Sequence, residues 1–83
     1  MKKNQKILSR IVIDQKIMVG KPIIKGTRLT VQHVLGLLAQ GVSMDDILLE
    51  YKGLERDDIV ACLMFAASTL ENTTFVPLGA HTA

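Results

Sequence analysis

The chain has 83 residues, a length that allows one small domain and no second hydrophobic core. Apolar residues make up 48% of it and its mean hydropathy is +0.29, so we expect part of its apolar surface to be covered by a second copy or another partner. The single cysteine, Cys62, excludes an intramolecular disulfide and a cysteine-ligated zinc site, and no apolar run approaches the roughly 18 residues of a membrane span. We therefore expect a soluble, cytoplasmic protein.

The charged residues are distributed unevenly along the chain. Residues 1–30 carry eight cationic side chains and one carboxylate, a net charge of +7, whereas residues 31–83 carry two cationic side chains and seven carboxylates, a net charge of −5. This polarity indicates different partners for the two halves, or electrostatic attraction between the halves of neighbouring subunits.

The N-terminal third of the chain is typical of a basic arm followed by a short β-element. Residues 1–9 are polar and lysine-rich, and we interpret them as a flexible arm. The β-branched residues of 10–13 predict a strand, and 17–19, 23–24 and 29–31 are further strand candidates. Such short strands need support, so the segment predicts a β-arm or hairpin over residues 10–31 that packs on helices or on a second chain.

One stretch of this segment, G-K-P-I-I-K-G-T-R-L-T-V at residues 20–31, predicts a tight turn that leads into a helix. Pro22 fixes its own φ, and Gly26 permits a positive φ. After this turn, the Arg28 guanidinium is predicted to fork onto carbonyls or a carboxylate and hold the turn; contact with a phosphate is the alternative. The residues assigned to this structural motif are Gly20, Pro22, Gly26, Thr27 and Arg28.

Three helices are predicted over residues 31–72. Thr30 and Ser43 are typical N-cap residues for the first two, and apolar residues recur at helical spacing after each of them. Glu55 takes the N-cap position of the third and longest helix, which we place at residues 56–71. The pattern predicts a mainly α fold, a small helix-turn-helix bundle preceded by the β-element.

The third helix carries apolar residues on two sides, which predicts that it is buried on both. One side has Ile59, Leu63, Ala66 and Leu70, and the other has Val60, Met64 and Ala67. The bundle and the β-element form a single domain at residues 10–72, followed by a tail without periodicity at residues 73–83.

Five segments of the chain match a known family pattern. They are I-x-I-D at 11–14, G-x-P-x-I-x-G-T-R at 20–28, G-V-S-M-D-D-I at 41–47, G-L-E-R-D-D-I-V-A-C-L at 53–63 and F-A-A at 65–67. Together they resemble the domain of unknown function 433 family over residues 10–70, and the second segment is the most specific. The chain departs from the family pattern at Gln15, Lys52, Glu55 and Phe65.

The resemblance implies a winged or homeodomain-like three-helix fold with an N-terminal β-arm, often dimeric. The family looks like a set of VapB-type antitoxins, which implies a PIN-like ribonuclease toxin as partner. On this basis we predict the antitoxin of a type II toxin–antitoxin pair that neutralises the toxin by direct binding and binds operator DNA as a dimer. The alternatives are a stand-alone helix-turn-helix DNA-binding regulator, and a structural dimerisation module without nucleic-acid binding.

The sequence contains no pattern typical of an active site. His33 and His81 have no carboxylate pair around them, and no serine has a nearby base at a recognisable spacing. Cys62 lies mid-helix among apolar residues and is typical of a small buried side chain. We therefore expect no enzymatic activity, no cofactor and no metal site.

For DNA, the basic arm is a better candidate than the third helix. That helix offers only Arg56, and the neighbouring carboxylates of Glu55, Asp57 and Asp58 would oppose a phosphate. The alternative is that the arm is a solvated tail without a role in DNA binding. Gln32 and His33 are hypothetical contacts to a DNA groove. The residues predicted to contact DNA are Lys2, Lys3, Lys6, Arg10, Lys25 and Arg28.

The protein partner is predicted to bind the C-terminal tail or the third helix. The tail supplies apolar anchors for a segment that folds on its partner, with the alternative that it folds back on its own domain or on a dimer mate. The residues assigned to partner binding are Val60, Met64, Phe75, Val76 and Leu78.

Overall fold

The computed structural model describes residues 2–72, with side chains described from residue 5 onwards. In chain order the elements are α1 (Lys2–Leu8), β1 (Ile11–Ile13), a 3-10 turn (Met18–Gly20), β2 (Pro22–Ile24), α2 (Val31–Ala39), α3 (Met44–Glu50) and α4 (Arg56–Glu71). The predicted fold class is confirmed, because the fold is mainly helical and a small antiparallel hairpin precedes its last three helices. None of the helices within residues 2–72 is long and apolar enough to cross a membrane.

Local side-chain hydrogen bonds determine where three of the helices begin. Before α2, Thr30 Oγ1 accepts a hydrogen bond from the backbone N–H of His33 at 3.0 Å; before α3, Ser43 Oγ accepts one from the N–H of Asp46 at 3.1 Å. Glu55 precedes α4 as its N-cap. These side chains satisfy N–H groups that the first helical turn leaves unpaired, so the three predicted N-caps are confirmed.

The two strands form one antiparallel pair. Ile11 lies opposite Ile24, and Ile13 lies opposite Pro22. The side chains of these four residues therefore share one face of the hairpin. Ile24 is buried and Ile11 packs on the core from that face, which fixes the hairpin onto the helices.

Two of the predicted strand segments adopt other conformations. Residues 29–31 contribute only a single bridge between Thr30 and Ile23, because the chain enters α2 directly afterwards. Residues 17–19 turn, because Asp14 captures the following backbone: its side chain accepts a hydrogen bond from the N–H of Lys16 at 2.9 Å. The turn continues through Val19, which has a φ of 53° and an exposure of 86%.

The core is aliphatic and lies where α4 meets the other elements. Its buried members are Ile24, Val31, Val34, Ile47, Ile59 and Cys62. Helix α4 packs against α1, α2, α3 and β1, so it is the central element of the fold.

The prediction that α4 is buried on both sides is wrong for the single chain. Ile59, Ala61 and Cys62 are fully buried, whereas Leu63 is 42% exposed and Leu70 is 64% exposed. The helix extends beyond the core in its C-terminal half, so one apolar side there is left open to solvent.

The predicted flexible arm at residues 1–9 also differs from the structure. Residues 2–8 form α1, which packs against α4. Ile7 and Leu8 are half-buried, and this tertiary contact compensates for the low propensity of so short a helix. The boundaries of the domain and of the tail at 73–83 stay predictions, and the tail lies outside the described residues.

The buried Cys62 thiol leads to a prediction about alkaline pH. Burial, and secondarily the negative charge of Asp58, raises the pKa of the Cys62 thiol to about 11. The folded chain therefore binds this proton more tightly than the unfolded chain, in which the pKa of the thiol is about 8.5. We expect this thiol to reduce the free energy of unfolding as the pH rises from about 9 to about 11.

Urea unfolding of the wild type and of Cys62→Ala at several pH values measures this effect. The wild type should lose more stability over that interval than the variant, which has no thiol to titrate. Equal pH slopes would contradict the prediction.

Candidate functional site

The turn between β2 and α2 is held by Thr27. Its Oγ1 donates a hydrogen bond to the Ile24 carbonyl at 2.8 Å and accepts one from the Leu29 N–H at 3.0 Å. The Ile24 N–H also donates to the Leu29 carbonyl at 3.0 Å, which closes the turn. A threonine hydroxyl that bonds both sides of a turn is a recognised local motif, so its position after Gly26 was the sequence signal for this role.

Arg28 was predicted to hold this turn, and the structure contradicts that prediction. Its side chain is exposed and makes no hydrogen bond or ion pair with the side chains described for residues 5–72. The Ile24 carbonyl in this turn already accepts hydrogen bonds from the hydroxyl and the backbone N–H of Thr27, so the turn is held without the guanidinium. The Arg28 guanidinium is therefore open to a ligand from outside the domain.

The predicted role of Gly26 in this turn can be measured by substitution. Gly26 has a φ of +82°, and a Cβ built on it meets no atom within 4 Å. Gly26→Val should therefore destabilise the fold by backbone strain alone, by about 1–2 kcal/mol. Gly36→Ala is the matched control, because Gly36 lies in α2 with open space around it and should gain up to about 1 kcal/mol. Thermal unfolding measures both; an unchanged midpoint for Gly26→Val would contradict the prediction.

Arg10 forms a network of ion pairs at the N-terminus of α4. Its Nη1 donates hydrogen bonds to Glu55 Oε1 at 2.8 Å and to Asp58 Oδ1 at 3.0 Å, and its Nη2 lies 3.9 Å from Asp57 Oδ2. The bonds to Glu55 and then Asp58 raise the pKa of the Arg10 guanidinium above its ordinary value. One cation thus contacts three carboxylates, which leaves the cluster net negative, and the contact ties the start of β1 to α4.

The same carboxylates organise the start of α4. Asp58 is only 8% exposed, and its Oδ2 accepts a hydrogen bond from the Glu55 N–H at 2.8 Å, while the Glu55 side chain accepts one from the Asp58 N–H. This reciprocal capping box uses one carboxylate oxygen of Asp58, which leaves the other for Arg10. The predicted DNA contact by Arg10 would therefore compete with an intramolecular role.

The predicted cationic residues are only partly brought together. Lys6 and Lys25 line one open cavity of about 440 Å³ beside Arg10, and the cavity floor includes Glu55 and Asp58. Arg28 is not among its lining residues. The side chains of Lys2 and Lys3 lie outside the described part of the chain. Two exposed lysines therefore lie next to a cluster that remains net negative.

A second polar surface, missed in part by the sequence analysis, lies along α2. Gln32 and His33, the two hypothetical groove contacts, line an open cavity of about 380 Å³ together with Lys21 and Gln40. The helical spacing of residues 32 and 33 and of the C-cap residue 40 was the sequence signal that could have predicted this surface. His33 is oriented by Tyr51, whose hydroxyl lies 3.0 Å from its Nε2.

The predicted protein-binding residues have different positions. Val60 and Met64 are half-buried on α4, whereas Phe75, Val76 and Leu78 lie outside the described residues. The open apolar groove is elsewhere, between β2, α2 and the C-terminal half of α4, with a volume of about 380 Å³. Its lining residues are Pro22, Val31, Gln32, Leu35, Phe65, Ala66, Thr69 and Leu70.

Among the described residues, no three histidine, cysteine, aspartate or glutamate side chains are grouped so as to hold a metal ion. The acidic residues at the start of α4 are engaged in capping and in pairing with Arg10. Among the described residues, the surface features that remain available for ligands are the exposed cations, the polar surface along α2 and the apolar groove.

Comparisons with known proteins give a family match and a fold match. A family model described as "Protein of unknown function (DUF433)" matches residues 11–66. An uncharacterized protein of Archaeoglobus fulgidus is 62% identical over 24 residues, which cover 29% of this chain and 67% of that one. The crystal structure of a DUF433 member protein from Anabaena variabilis superposes with a TM-score of 0.72 at 24% identity, covering 84% of this chain and 69% of the other. That superposition shows a shared fold.

Proposed function

Because this chain belongs to the DUF433 family, whose pattern it follows over residues 11–66, we propose that it is the antitoxin of a type II toxin–antitoxin pair. It neutralises a PIN-like ribonuclease toxin by direct binding, binds operator DNA, and acts in the cytoplasm without catalysis of its own. The observation that supports this proposal most is the group of large apolar side chains, Phe75, Val76 and Leu78, that follows α4 in the sequence. A short apolar segment of this kind is suited to folding on a partner protein.

The toxin contact is assigned to the chain around and beyond the end of α4. Residues 73–83 carry three large apolar side chains, Phe75, Val76 and Leu78, and no Asp, Glu, Lys or Arg. A segment of this composition has the anchors for an apolar cleft on a partner, and Val60 and Met64 extend the assigned set onto α4.

Co-expression with the neighbouring open reading frame for a PIN-like ribonuclease tests the toxin contact. The two proteins should co-purify, and the chain should suppress ribonuclease activity. Phe75→Ala/Leu78→Ala should weaken the complex by about tenfold or more, whereas the control Thr73→Ala/Thr82→Ala should not. Absence of a complex and of protection from toxicity would refute the antitoxin assignment.

Operator binding is supported by the cations that the fold leaves free. Lys25 and Arg28 flank the Thr27 turn, are exposed, and form no ion pair with the side chains described for residues 5–72. Lys6 adds to this surface through the shared cavity. Arg10 reduces the negative charge at the start of α4, because its guanidinium pairs with carboxylates there that would repel phosphates.

Salt dependence of binding to the chain's own upstream DNA tests this surface. Each phosphate contact adds about 0.9 to the slope of log K against log salt, so Lys25→Ala/Arg28→Ala should lower the slope measurably. Lys52→Ala/Arg56→Ala removes the same charge from the acidic half and should leave the slope nearly unchanged. Equal slopes for both double variants would place the DNA contacts elsewhere.

The stand-alone DNA-binding regulator is the second candidate function. The polar surface of Lys21, Gln32, His33 and Gln40 along α2 favours it, since these side chain types can read phosphates and bases. DNA binding without any toxin complex would select this function, and absence of both would select the structural dimerisation module.

A further inference from the structure

The C-terminal half of α4 has an apolar stripe along its open side. The stripe consists of Leu63, Ala66, Ala67 and Leu70, which follow the i, i+3, i+4, i+7 spacing of one helix face. Leu63 is 42% exposed, Leu70 is 64% exposed and Ala67 is exposed as well. Since residues 2–72 do not cover this stripe, its occupant comes from outside the described domain.

The pattern of the stripe is the same in both chain directions. Residues 63–70 read L-M-F-A-A-S-T-L, with two alanines in the middle and a leucine at the same distance on either side. A two-fold axis through the midpoint of Ala66 and Ala67 would place Leu63 of one copy against Leu70 of the other. Small side chains at the crossing allow the two helices to approach closely, so the stripe is complementary to a second copy of itself.

The surroundings of the stripe extend the apolar contact. The groove lined by Pro22, Val31 and Phe65 joins the stripe through Ala66 and Leu70, and none of its lining residues is charged. Ile13, 59% exposed, lies opposite Pro22 in the hairpin and continues this surface. A stable dimer buries about 800 Å² on each partner, more than a stripe about 10 Å long provides alone, and the groove and hairpin supply the additional width.

The charges on α4 favour an antiparallel crossing. In a parallel pair the acidic starts of both α4 helices, with Glu55 and Asp57, would lie at the same end of the dimer. In the antiparallel pair the two copies of Asp57 are about 28 Å apart along the helix axis, from the rise of about 1.5 Å per residue. This distance exceeds the Debye length of about 8 Å at physiological salt, so their repulsion is screened.

We propose that two copies of the chain form a two-fold dimer in which the α4 helices cross antiparallel at Ala66 and Ala67. The proposal rests on the proposed function for its biological meaning, since it supplies the dimer that operator binding requires. The experiment that tests it measures only the oligomeric state of the purified chain. A failure here therefore leaves toxin binding untouched, and a failure of toxin or DNA binding leaves the dimer untouched.

Sedimentation velocity of the full chain over a concentration series tests the interface with charge variants. The wild type should be dimeric at roughly 100 μM. Leu63→Glu/Leu70→Glu places carboxylates opposite carboxylates and should raise the dimer Kd by about a hundredfold or more. Leu63→Lys/Leu70→Glu places opposite charges in register only in the antiparallel pair, so it should dimerise at least tenfold more tightly than the first variant. Leu49→Glu, on the exposed side of α3, is the matched control and should stay dimeric.

Circular dichroism of every variant separates loss of the dimer from loss of the fold, because all substituted leucines are exposed and should leave the helical signal unchanged. A wild-type monomer at this concentration would overturn the proposal and leave the stripe to a different protein. A Leu63→Glu/Leu70→Glu variant that dimerises like the wild type would place the interface elsewhere. A Leu63→Lys/Leu70→Glu variant that dimerises no better than the double glutamate variant would overturn the antiparallel crossing.

Discussion

Ile59→Ala should remove about 3–4 kcal/mol from the free energy of unfolding, the largest effect expected for a single substitution in this domain. Ile59 is fully buried in the first turns of α4 and belongs to the cluster that includes Ile24, Val34 and Ile47. Truncation loses the transfer free energy of the removed methyl and methylene groups and leaves a cavity. A domain of this length has about 4–12 kcal/mol of total stability, so the expected loss is about a quarter of the total or more.

Urea unfolding followed by circular dichroism measures the loss. Ile59→Val, which removes one methylene, should lose about 1 kcal/mol. Leu49→Ala is the control for surface truncation, because Leu49 is 76% exposed, and its cost should stay below about 0.5 kcal/mol. A cost for Ile59→Ala no greater than that of Leu49→Ala would contradict the assignment of this core.

Asp58→Ala is the second large effect, with an expected loss of about 2–3 kcal/mol. The substitution removes the acceptor of the Glu55 N–H bond at 2.8 Å and the acceptor of the Arg10 bond at 3.0 Å. The first loss opens the capping box, and the second leaves Arg10 with fewer counter-charges at a half-buried position.

Asp57→Ala is the matched control, since Asp57 occupies the same helical turn. Its side chain is 57% exposed and lies 3.9 Å from Arg10, so its loss should cost less than about 0.5 kcal/mol. Asp58→Asn can still accept the Glu55 N–H bond without the charge and should fall between the two. Thermal and urea unfolding measure all three; equal costs for Asp57→Ala and Asp58→Ala would mean that dipole charge, and not the box, stabilises the helix.

The parts of the fold that the sequence predicted are those encoded within a few residues. Thr30, Ser43 and Glu55 cap helices through groups three residues away, so the helix starts were predictable. The pairing of Arg10 with Asp58 was not, because 48 residues separate them and no local pattern specifies which carboxylate an arginine will meet.

Competition between neighbouring side chains explains the errors at the site. Arg28 was assigned to the turn because its guanidinium has several donors, but Thr27 already donates two hydrogen bonds to the Ile24 carbonyl there. Helix α1 was missed because its stability comes from contact with α4, which is distant in sequence. The burial of α4 on two sides was inferred from its periodicity. Periodicity shows where the apolar side chains lie on the helix, but not whether residues of the same chain bury them.

The Arg10 network also joins two parts of the domain that are made at different times during synthesis. Its partners Glu55 and Asp58 lie 45 and 48 residues further along the chain, so α1 and the hairpin are synthesised before α4. At about 5–20 residues per second this interval lasts on the order of seconds, far longer than the microseconds in which a hairpin forms. Until α4 is complete, α1 and β1 lack the helix they pack against, so we expect the N-terminal third to become stable only after α4 has been made.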